Sequence, residues 1–344
     1  MIGSSNAPRR RSAAAAIATA ACLLVGQAQP AFAYLKFGVM AGDQQVTLKW
    51  AQTPVQYFVS DIGVPGVSSS DFEAAVGRAF GTWQAVPTAS IAYQFGGITS
   101  ALPLEDDGRS TLGFLPRPDL DRVLASTNFL VDDATGALVE ADIFFNTSFQ
   151  WSVAPGGENG KYDLETIALH EIGHLSGLGH SAIGETELLP NGGRRVIAAE
   201  AVMFPIAFPP GTVTGRVLKP DDVAGISDIY PDGDFSSATG SISGRVTKGG
   251  EGLFGAHVVA FELATGHLIA NLTLNDQGQF SIAGLTPGPH IIRVEPLDDA
   301  DLDSYFDTSI TTVDLDFRVS FLDRLVVAPR GGDSGAIEIK VAPK

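Results

Sequence analysis

The sequence predicts an α+β domain followed by an all-β domain, and three observations support this. Apolar residues from Phe72 to Trp83 recur at helical spacing, between segments that show the alternation of β-strands. A motif with three histidines, His170 to His180, lies on and just after a second predicted helix. Beyond residue 240 the pattern changes to short strands separated by turns, which is typical of a β-sandwich.

The elements of the first domain follow from local patterns. Residues 50–60 contain an alternating, aromatic strand, and serines at 68–70 with Asp71 offer N-caps for a helix over about 71–85. Asp163 is predicted to cap the helix that carries His170. The remaining predicted elements are strands at 91–95, 126–131 and 141–146, an acidic turn at 104–109, a turn at 132–136 and a Gly-rich loop at 155–160.

The chain after the histidines is predicted to be mostly irregular until the second domain begins. A polar stretch precedes residues 201–205, a Pro- and Gly-rich loop covers 206–219, and Pro220 opens a short helix that ends before Pro231. Small polar residues at 235–240 predict a linker. The strands predicted beyond it are 241–247, 256–263, 267–274, 278–282 and 290–295, with later strands in 317–328 and 336–341.

The N-terminus has the pattern of an export signal. Arg9 to Arg11 precede an apolar run from residue 13 to 26, and residues 31–33 (Ala-Phe-Ala) form a small-x-small cleavage site. Tyr34 would then begin the mature chain, and the only cysteine, Cys22, would be removed. Alternatives are a membrane anchor, although the run is short, a lipid-anchored Cys22, and a twin-arginine export route. The predicted domains are residues 1–33 (signal peptide), 34–234, 235–240 (linker) and 241–344.

Composition limits the functional classes. The 344 residues carry a net charge of −17, with 44% hydrophobic and 18% charged residues. This composition is typical of globular domains, and the length suits two of them. The body of the chain has no cluster of Lys and Arg, so nucleic acid is not an expected partner. After signal removal no segment is expected to enter a membrane, and the protein is expected to be extracellular or periplasmic.

The histidine motif predicts a zinc site. His170 and His174 are four residues apart, so they share one face of a helix and can bind one metal ion. Gly177 permits a sharp turn out of the helix, after which His180 can return to the same metal. Three protein ligands leave one position of a catalytic zinc open for water. The alternative, a polar helix face that carries a histidine pair, does not account for Gly177 and His180.

Glu171 follows the first ligand and is predicted to act as the general base. Zinc lowers the pKa of a water to near 7, and Glu171 can take its proton as the water attacks a carbonyl and pass it to the departing amine. The predicted reaction is peptide-bond hydrolysis without a covalent intermediate. A Glu171→Ala variant is expected to keep zinc and lose activity.

The motif from His170 to His180, followed by residues 202–205 (Val-Met-Phe-Pro), resembles the metzincin metallopeptidases and most resembles their matrixin type. The resemblance covers residues 46–231. It implies a twisted, mostly parallel sheet with an active-site helix, and a Met-turn residue, Met203, that forms a hydrophobic floor beneath the zinc. It also implies that residues 141–143 belong to the edge strand and that residues 206–219 wall the pocket for the residue after the scissile bond. Further matches are Ser181 and residues 221–226.

The sequence departs from the family pattern in three ways. Phe204 stands where tyrosine is common, so no tyrosine there can reach the metal. The remaining histidines, His257, His267 and His290, lie beyond the predicted linker, so the first domain lacks histidines for a second, structural zinc. The mature chain has no cysteine for a cysteine-switch. Structural Ca²⁺ is a family-level expectation, with solvated turn acids as the alternative. Its candidate ligands are Asp106, Asp107, Asp132, Asp133 and Asp142.

Residues 239–296 resemble the carboxypeptidase-regulatory-like β-sandwich, on glycine-bounded strands at 240–246, 255–260 and 278–288. The resemblance implies an accessory role in adhesion, substrate docking or stability, with no catalytic role. The whole sequence therefore predicts a secreted zinc endopeptidase that acts on protein or peptide substrates. The alternatives are a catalytically idle binding or adhesion protein of the same fold, and a zinc amidase or exopeptidase. The sequence leaves the natural substrate, the activation mode and the oligomeric state open.

Overall fold

The structure is a computed structural model that describes residues 36–41, 44–132, 134–190, 194–297, 302–306 and 313–344. The predicted signal peptide, Cys22 and Tyr34 lie outside the described residues, as does Asp133. Among the helices of the described part of the chain, none combines the length and apolar character needed to cross a membrane.

The first part of the chain alternates strands and helices. In chain order its elements are β1 (Gly38–Ala41), β2 (Gln44–Thr47), β3 (Lys49–Trp50), β4 (Val55–Ser60), α1 (Ser69–Gln84), β5 (Tyr93–Thr99), β6 (Ser110–Leu115), β7 (Ala125–Asp132), β8 (Ala137–Asn146), β9 (Trp151–Ser152), β10 (Tyr162–Asp163), α2 (Leu164–Leu175), β11 (Gly184–Leu188), β12 (Arg194–Ala199), a 3-10 turn (Thr214–Arg216), α3 (Pro220–Ile229) and α4 (Phe235–Ala238). The segment predicted as a linker thus contains α4. The N–H groups of its N-cap, Asp234, and of its first residue, Phe235, donate to the Asp232 carboxylate.

The main sheet has the strand order β3-β8-β6-β4-β5, with β7 paired to β8. Every pairing is parallel except that of β7 with β8, so the predicted mostly parallel sheet is confirmed. The predicted position of residues 141–143 on the edge strand is wrong. Ile143 pairs with Leu112 on β6 and with Thr127 on β7, so β8 is internal here and the antiparallel β7 forms the edge. The composition of β8 could not show this, because it reflects how far the strand is buried and does not determine which strands pair with it.

Helix α1 packs on the sheet with the predicted apolar face. Its N-cap is Ser68, whose hydroxyl accepts the Asp71 N–H at 3.2 Å. The six apolar residues predicted to face the core are all buried: Phe72, Ala75, Val76, Ala79, Phe80 and Trp83. The indole Nε1 of Trp83 donates to the Leu169 carbonyl at 2.8 Å, which ties α1 to α2 inside the core. This contact places the zinc-motif helix against a rigid support.

The local sequence patterns did not predict strand β6 or the pair formed by β11 and β12. Strand β6 is buried along most of its length and pairs on both sides, so it lacks the alternation that marks a half-exposed strand. The polar stretch after His180 contains an antiparallel pair, β11 and β12. The polarity of that stretch indicates exposure, but does not distinguish a hairpin from a loop.

Residues 240–341 form the C-terminal strand region. Its elements are β13 (Gly240–Lys248), β14 (Glu251–Gly252), β15 (His257–Glu262), β16 (Leu268–Leu272), β17 (Gln279–Leu285), β18 (Gly288–Glu295), a 3-10 turn (Leu302–Ser304), β19 (Ser320–Phe321), β20 (Val326–Ala328) and β21 (Ile337–Val341). One sheet joins β14, β13, β17 and β21, and a second joins β16, β15, β18, β19 and β20. Buried side chains of both sheets share one apolar cluster, which also includes Ala224 of α3.

Candidate metal centre

Helix α2 holds the first two histidines in fixed positions because its N-terminus is firmly capped. Asp163 accepts the Thr166 N–H at 2.9 Å and pairs with Arg216, whose Nη2 lies 2.5 Å from Asp163 Oδ1. The Asp163 side chain is only 2% exposed, so this cap is screened from water. The carboxylate also lies at the positive end of the helix dipole. His170 and His174 then follow on one face of α2.

A tight turn after α2 returns the chain to the first two histidines. Gly177 has a φ of +97°, and a Cβ at this position would lie 2.4 Å from the Leu48 carbonyl oxygen. Only glycine fits both the conformation and the space. The Leu178 N–H bonds back to Gly173 at 3.0 Å, which closes the helix end. His180 is thereby placed beside His170 and His174, as the motif spacing predicts.

The three imidazoles converge on one point. One ring nitrogen of each histidine lies within 4.8 Å of the other two, and no other group of three or more potential ligands among the described residues is that compact. Each Nδ1 faces a backbone carbonyl oxygen: that of Val202 for His170 (2.8 Å), Leu178 for His174 (2.8 Å) and Ser304 for His180 (2.5 Å). A carbonyl only accepts, so each Nδ1 carries the proton and each Nε2 presents a lone pair.

The electrostatics of this cluster match a cation site. The Nε2 atoms of His174 and His180 lie 3.2 Å apart with lone pairs facing, an arrangement that a cation between them relieves. Desolvation lowers the pKa of His170 to about 3, and also lowers the pKa values of His174 and His180. All three imidazoles are therefore neutral at pH 7, as metal ligation requires. Three neutral nitrogen donors that converge on one point fit zinc.

Glu171 lies beside the cluster, and β7 positions its carboxylate. The Thr127 hydroxyl donates to Glu171 Oε2 at 2.7 Å and lies 3.0 Å from the Glu171 carbonyl oxygen. Burial raises the pKa of Glu171 to about 7, and the hydrogen bond from Thr127 opposes that rise. Sequence reasoning missed Thr127. No local signal marks it, because it lies 44 residues before Glu171 and reaches it only when β7 packs against α2.

Met203 is 2% exposed and packs directly under α2. A Cβ on Gly173 would lie 2.2 Å from Met203 Sδ, so the helix and the methionine approach as closely as glycine allows. The turn that carries Met203 is held by Asp222, which accepts the N–H groups of Val202 (2.8 Å) and Met203 (3.1 Å). The Val202 carbonyl that fixes His170 belongs to the same turn.

Three of the five carboxylates predicted to bind Ca²⁺ accept hydrogen bonds from backbone N–H groups. Asp142 accepts from Leu104 (2.5 Å) and Thr111 (2.7 Å), and burial raises the pKa of Asp142 to about 7. Asp107 accepts from Arg109, and Asp132 from Ala134. Together with Asp106, these described candidates form no compact group of three ligands. Calcium binding therefore stays a prediction.

The predicted pocket wall lies next to α2. Residues of the 206–219 loop and of α2 line a shared depression, with Ala207, Phe208 and Gly215 on the loop side and Thr166 and Ile167 on the helix side. The depression lies at the N-terminal part of the helix, and none of the three histidines lines it. Its role in specificity stays a prediction.

Comparison with known proteins agrees with this geometry. The family model described as Matrixin matches residues 49–231, a range that contains the histidines, Glu171 and Met203. Karilysin of Tannerella forsythia is 23% identical over 66% of this chain and 43% of its own length. Human matrix metalloproteinase-20 is 28% identical over 53% of this chain and 32% of its own. Metalloendoproteinase 5-MMP of Arabidopsis thaliana is 37% identical over 25% of this chain and 20% of its own. The chain thus spans less than half the length of each.

Proposed function

The chain belongs to the matrixin family, and from this premise we propose that it is a secreted zinc-dependent endopeptidase that hydrolyses peptide bonds of extracellular proteins. The single observation that carries the proposal is the convergence of three neutral imidazoles beside a buried carboxylate. Similar proteins are named as metalloproteinases, and these names indicate protein or peptide substrates.

His170, His174 and His180 are the proposed zinc ligands, through Nε2. The carbonyl oxygens that accept from Nδ1 fix the tautomer and the ring orientation of each ligand. Zinc in this position supplies a Lewis acid that makes a water nucleophilic near neutral pH and stabilises negative charge on a substrate carbonyl oxygen.

Glu171 is the proposed general base. Its carboxylate accepts a proton from the attacking water, and the protonated acid then donates that proton to the amine nitrogen as the C–N bond breaks. Burial favours the protonated form of Glu171, which donates the proton, and the hydrogen bond from Thr127 favours the ionised form, which accepts it. Thr127 keeps the carboxylate in one orientation throughout.

The proposal also assigns roles to segments outside the zinc ligands and the base. Met203 is the proposed Met-turn residue and residues 206–219 the proposed wall of the substrate pocket. Residues 1–33 are the proposed signal peptide, which supports an extracellular or periplasmic location. The C-terminal strand region is the proposed accessory domain of carboxypeptidase-regulatory-like type. Structural Ca²⁺ is a family-based proposal, with candidate ligands Asp106, Asp107, Asp132, Asp133 and Asp142.

The alternatives make different predictions. An idle binding protein of the same fold would bind zinc without cleaving peptides, and the intact set of His170, Glu171, His174 and His180 argues against it. An amidase or exopeptidase would require a group that recognises a cell-wall amide or a chain terminus, and the sequence identifies none.

The decisive test is cleavage of a peptide library by the purified protein, compared with Glu171→Ala. We expect the variant to keep one zinc per chain and to lose about 10²- to 10⁴-fold in kcat/KM, the usual contribution of a general base. Glu338→Ala, which changes an exposed glutamate of the C-terminal strand region, is the matched control and should retain full activity. Near-normal cleavage by zinc-replete Glu171→Ala protein would refute the proposed role.

A further inference from the structure

A short segment of the C-terminal strand region, Leu302–Phe306, lies against the third histidine of the metal centre. The Ser304 carbonyl oxygen is 2.5 Å from His180 Nδ1, although the two residues are 124 positions apart. The Tyr305 ring meets the His180 ring edge-on, with centroids 6.4 Å apart. The acceptors of the other two histidines, Val202 and Leu178, both come from the matrixin region itself.

The segment contacts the Nδ1 side of His180, not the Nε2 side that faces the other histidines. Nδ1 and Nε2 lie on different sides of an imidazole ring, and His180 Nε2 faces His174 Nε2 at 3.2 Å. The contact to Nδ1 therefore leaves the Nε2 lone pair of His180 free to face a metal. It orients the ring and fixes its tautomer, which is the role of a hydrogen-bond partner behind a metal ligand.

The position of the Ser304 carbonyl is set by packing in the C-terminal strand region. The two residues that follow it, Tyr305 and Phe306, are 4% and 3% exposed and belong to a cluster with Leu272 of β16 and with Leu297. The Tyr305 and Phe306 N–H groups both bond to the Leu302 carbonyl, at 3.0 and 2.9 Å. The side chains of Tyr305 and Phe306 are buried in this cluster, so the Ser304 carbonyl cannot move far without loss of apolar contact.

A second connection holds the residue after His180. The Ser181 hydroxyl donates to Asp221 Oδ2 at 2.6 Å, and Asp221 Oδ1 accepts the N–H of Ala270 on β16 at 2.9 Å. Asp221 is buried, so both bonds lie away from water. Ile183 packs on Ala270 in the same place. The chain at His180 is thus connected to the C-terminal strand region directly through Ser304 and indirectly through Asp221 of α3.

We propose that the C-terminal strand region forms part of the zinc centre, in which Ser304 is a positioning residue for the ligand His180 and zinc affinity depends on the docked Leu302–Phe306 segment. This inference rests on the proposed zinc site. The region was expected to serve only as an accessory domain for adhesion, substrate docking or stability. The inference makes it a structural part of the active site as well. Linkage makes the effect reciprocal: zinc binding stabilises the docked segment by the same factor by which docking strengthens zinc binding.

The first test measures zinc affinity by chelator competition in the full chain. Tyr305→Ala/Phe306→Ala removes the two buried side chains that hold the Leu302–Phe306 segment in its apolar cluster. We expect the zinc dissociation constant to rise about 10- to 100-fold, the usual effect of losing a hydrogen-bond partner of a metal ligand. Phe317→Ala is the matched control, because it removes a fully buried ring from the main cluster of the same region and leaves the contact to His180 in place. Its zinc affinity should equal that of the wild type.

The second test uses the wild-type protein and does not depend on the folding of a variant. Amide hydrogen exchange is compared between the zinc-free and zinc-loaded forms at Tyr305, Phe306 and Ala270. Zinc should slow exchange at these amides by about the same 10- to 100-fold, whereas amides of β21 should change little.

The outcomes separate this inference from the proposed function. If the wild type binds no zinc, the proposed zinc site fails and the inference fails with it. If the wild type binds zinc, either of two results overturns the inference alone. One is that the double variant binds zinc as tightly as the wild type, and the other is that zinc does not change amide exchange at Tyr305 and Phe306.

Discussion

Thr127→Val tests whether β7 sets the proton affinity of the proposed base. Valine keeps the shape of threonine and removes the hydroxyl that donates to Glu171 Oε2 at 2.7 Å. A hydrogen bond to a charged group contributes about 1.5–3 kcal/mol, and one pKa unit corresponds to about 1.4 kcal/mol. The ionised form of Glu171 loses this stabilisation, so its pKa should rise by about one to two units.

The predicted change is a shift of the pH profile. The base must be ionised to accept a proton, so kcat/KM rises as pH increases through the pKa of Glu171, and in the variant this rise occurs at higher pH. At a pH below both pKa values the variant should be slower by about 10- to 100-fold, and the difference should shrink at higher pH.

The assay is kcat/KM for a fluorogenic peptide from pH 5 to about 9, with zinc content measured for each sample. Thr127→Ser keeps a hydroxyl and should follow the wild-type profile. A Thr127→Val profile that coincides with the wild type would refute the assignment of Thr127, and a uniform loss at every pH would point to lost positioning instead of a changed pKa.

Three further predictions address the support of the site. Gly173→Ala places a Cβ 2.2 Å from Met203 Sδ, so thermal unfolding should show a loss of about 1–3 kcal/mol in the free energy of unfolding. The control is Gly81→Ala on α1, where a Cβ meets nothing within 4 Å; it should raise the free energy of unfolding by up to about 1 kcal/mol. Asp142→Asn leaves the N–H of Leu104 or Thr111 unpaired, and urea unfolding at pH 8 should show a loss of about 1–3 kcal/mol; an unchanged midpoint would contradict this. Removal of zinc by a chelator should abolish cleavage and lower the melting temperature, and added zinc should restore both.

Most local elements could be predicted from the sequence because their causes are local. The apolar face of α1 and its Ser68 cap follow from helical periodicity and from the hydrogen-bonding needs of the first turn. The short strands beyond residue 240 follow from alternation and turn residues, although their ends differ from the predicted ones by a few residues. Strand β6 and the edge position of β7 could not be predicted, because strand neighbours depend on tertiary pairing.

The sequence by itself determined which residues can meet at the histidine cluster. His170 and His174 share a helix face through their spacing, and Gly177 allows the turn that returns His180; all of this is encoded within eleven consecutive residues. The tertiary structure alone decided what surrounds them. Thr127 on Glu171 and the Ser304 carbonyl behind His180 are contacts between segments far apart in the chain. Such contacts depend on how buried faces pack together, and the spacing of residues along the chain carries no record of that packing.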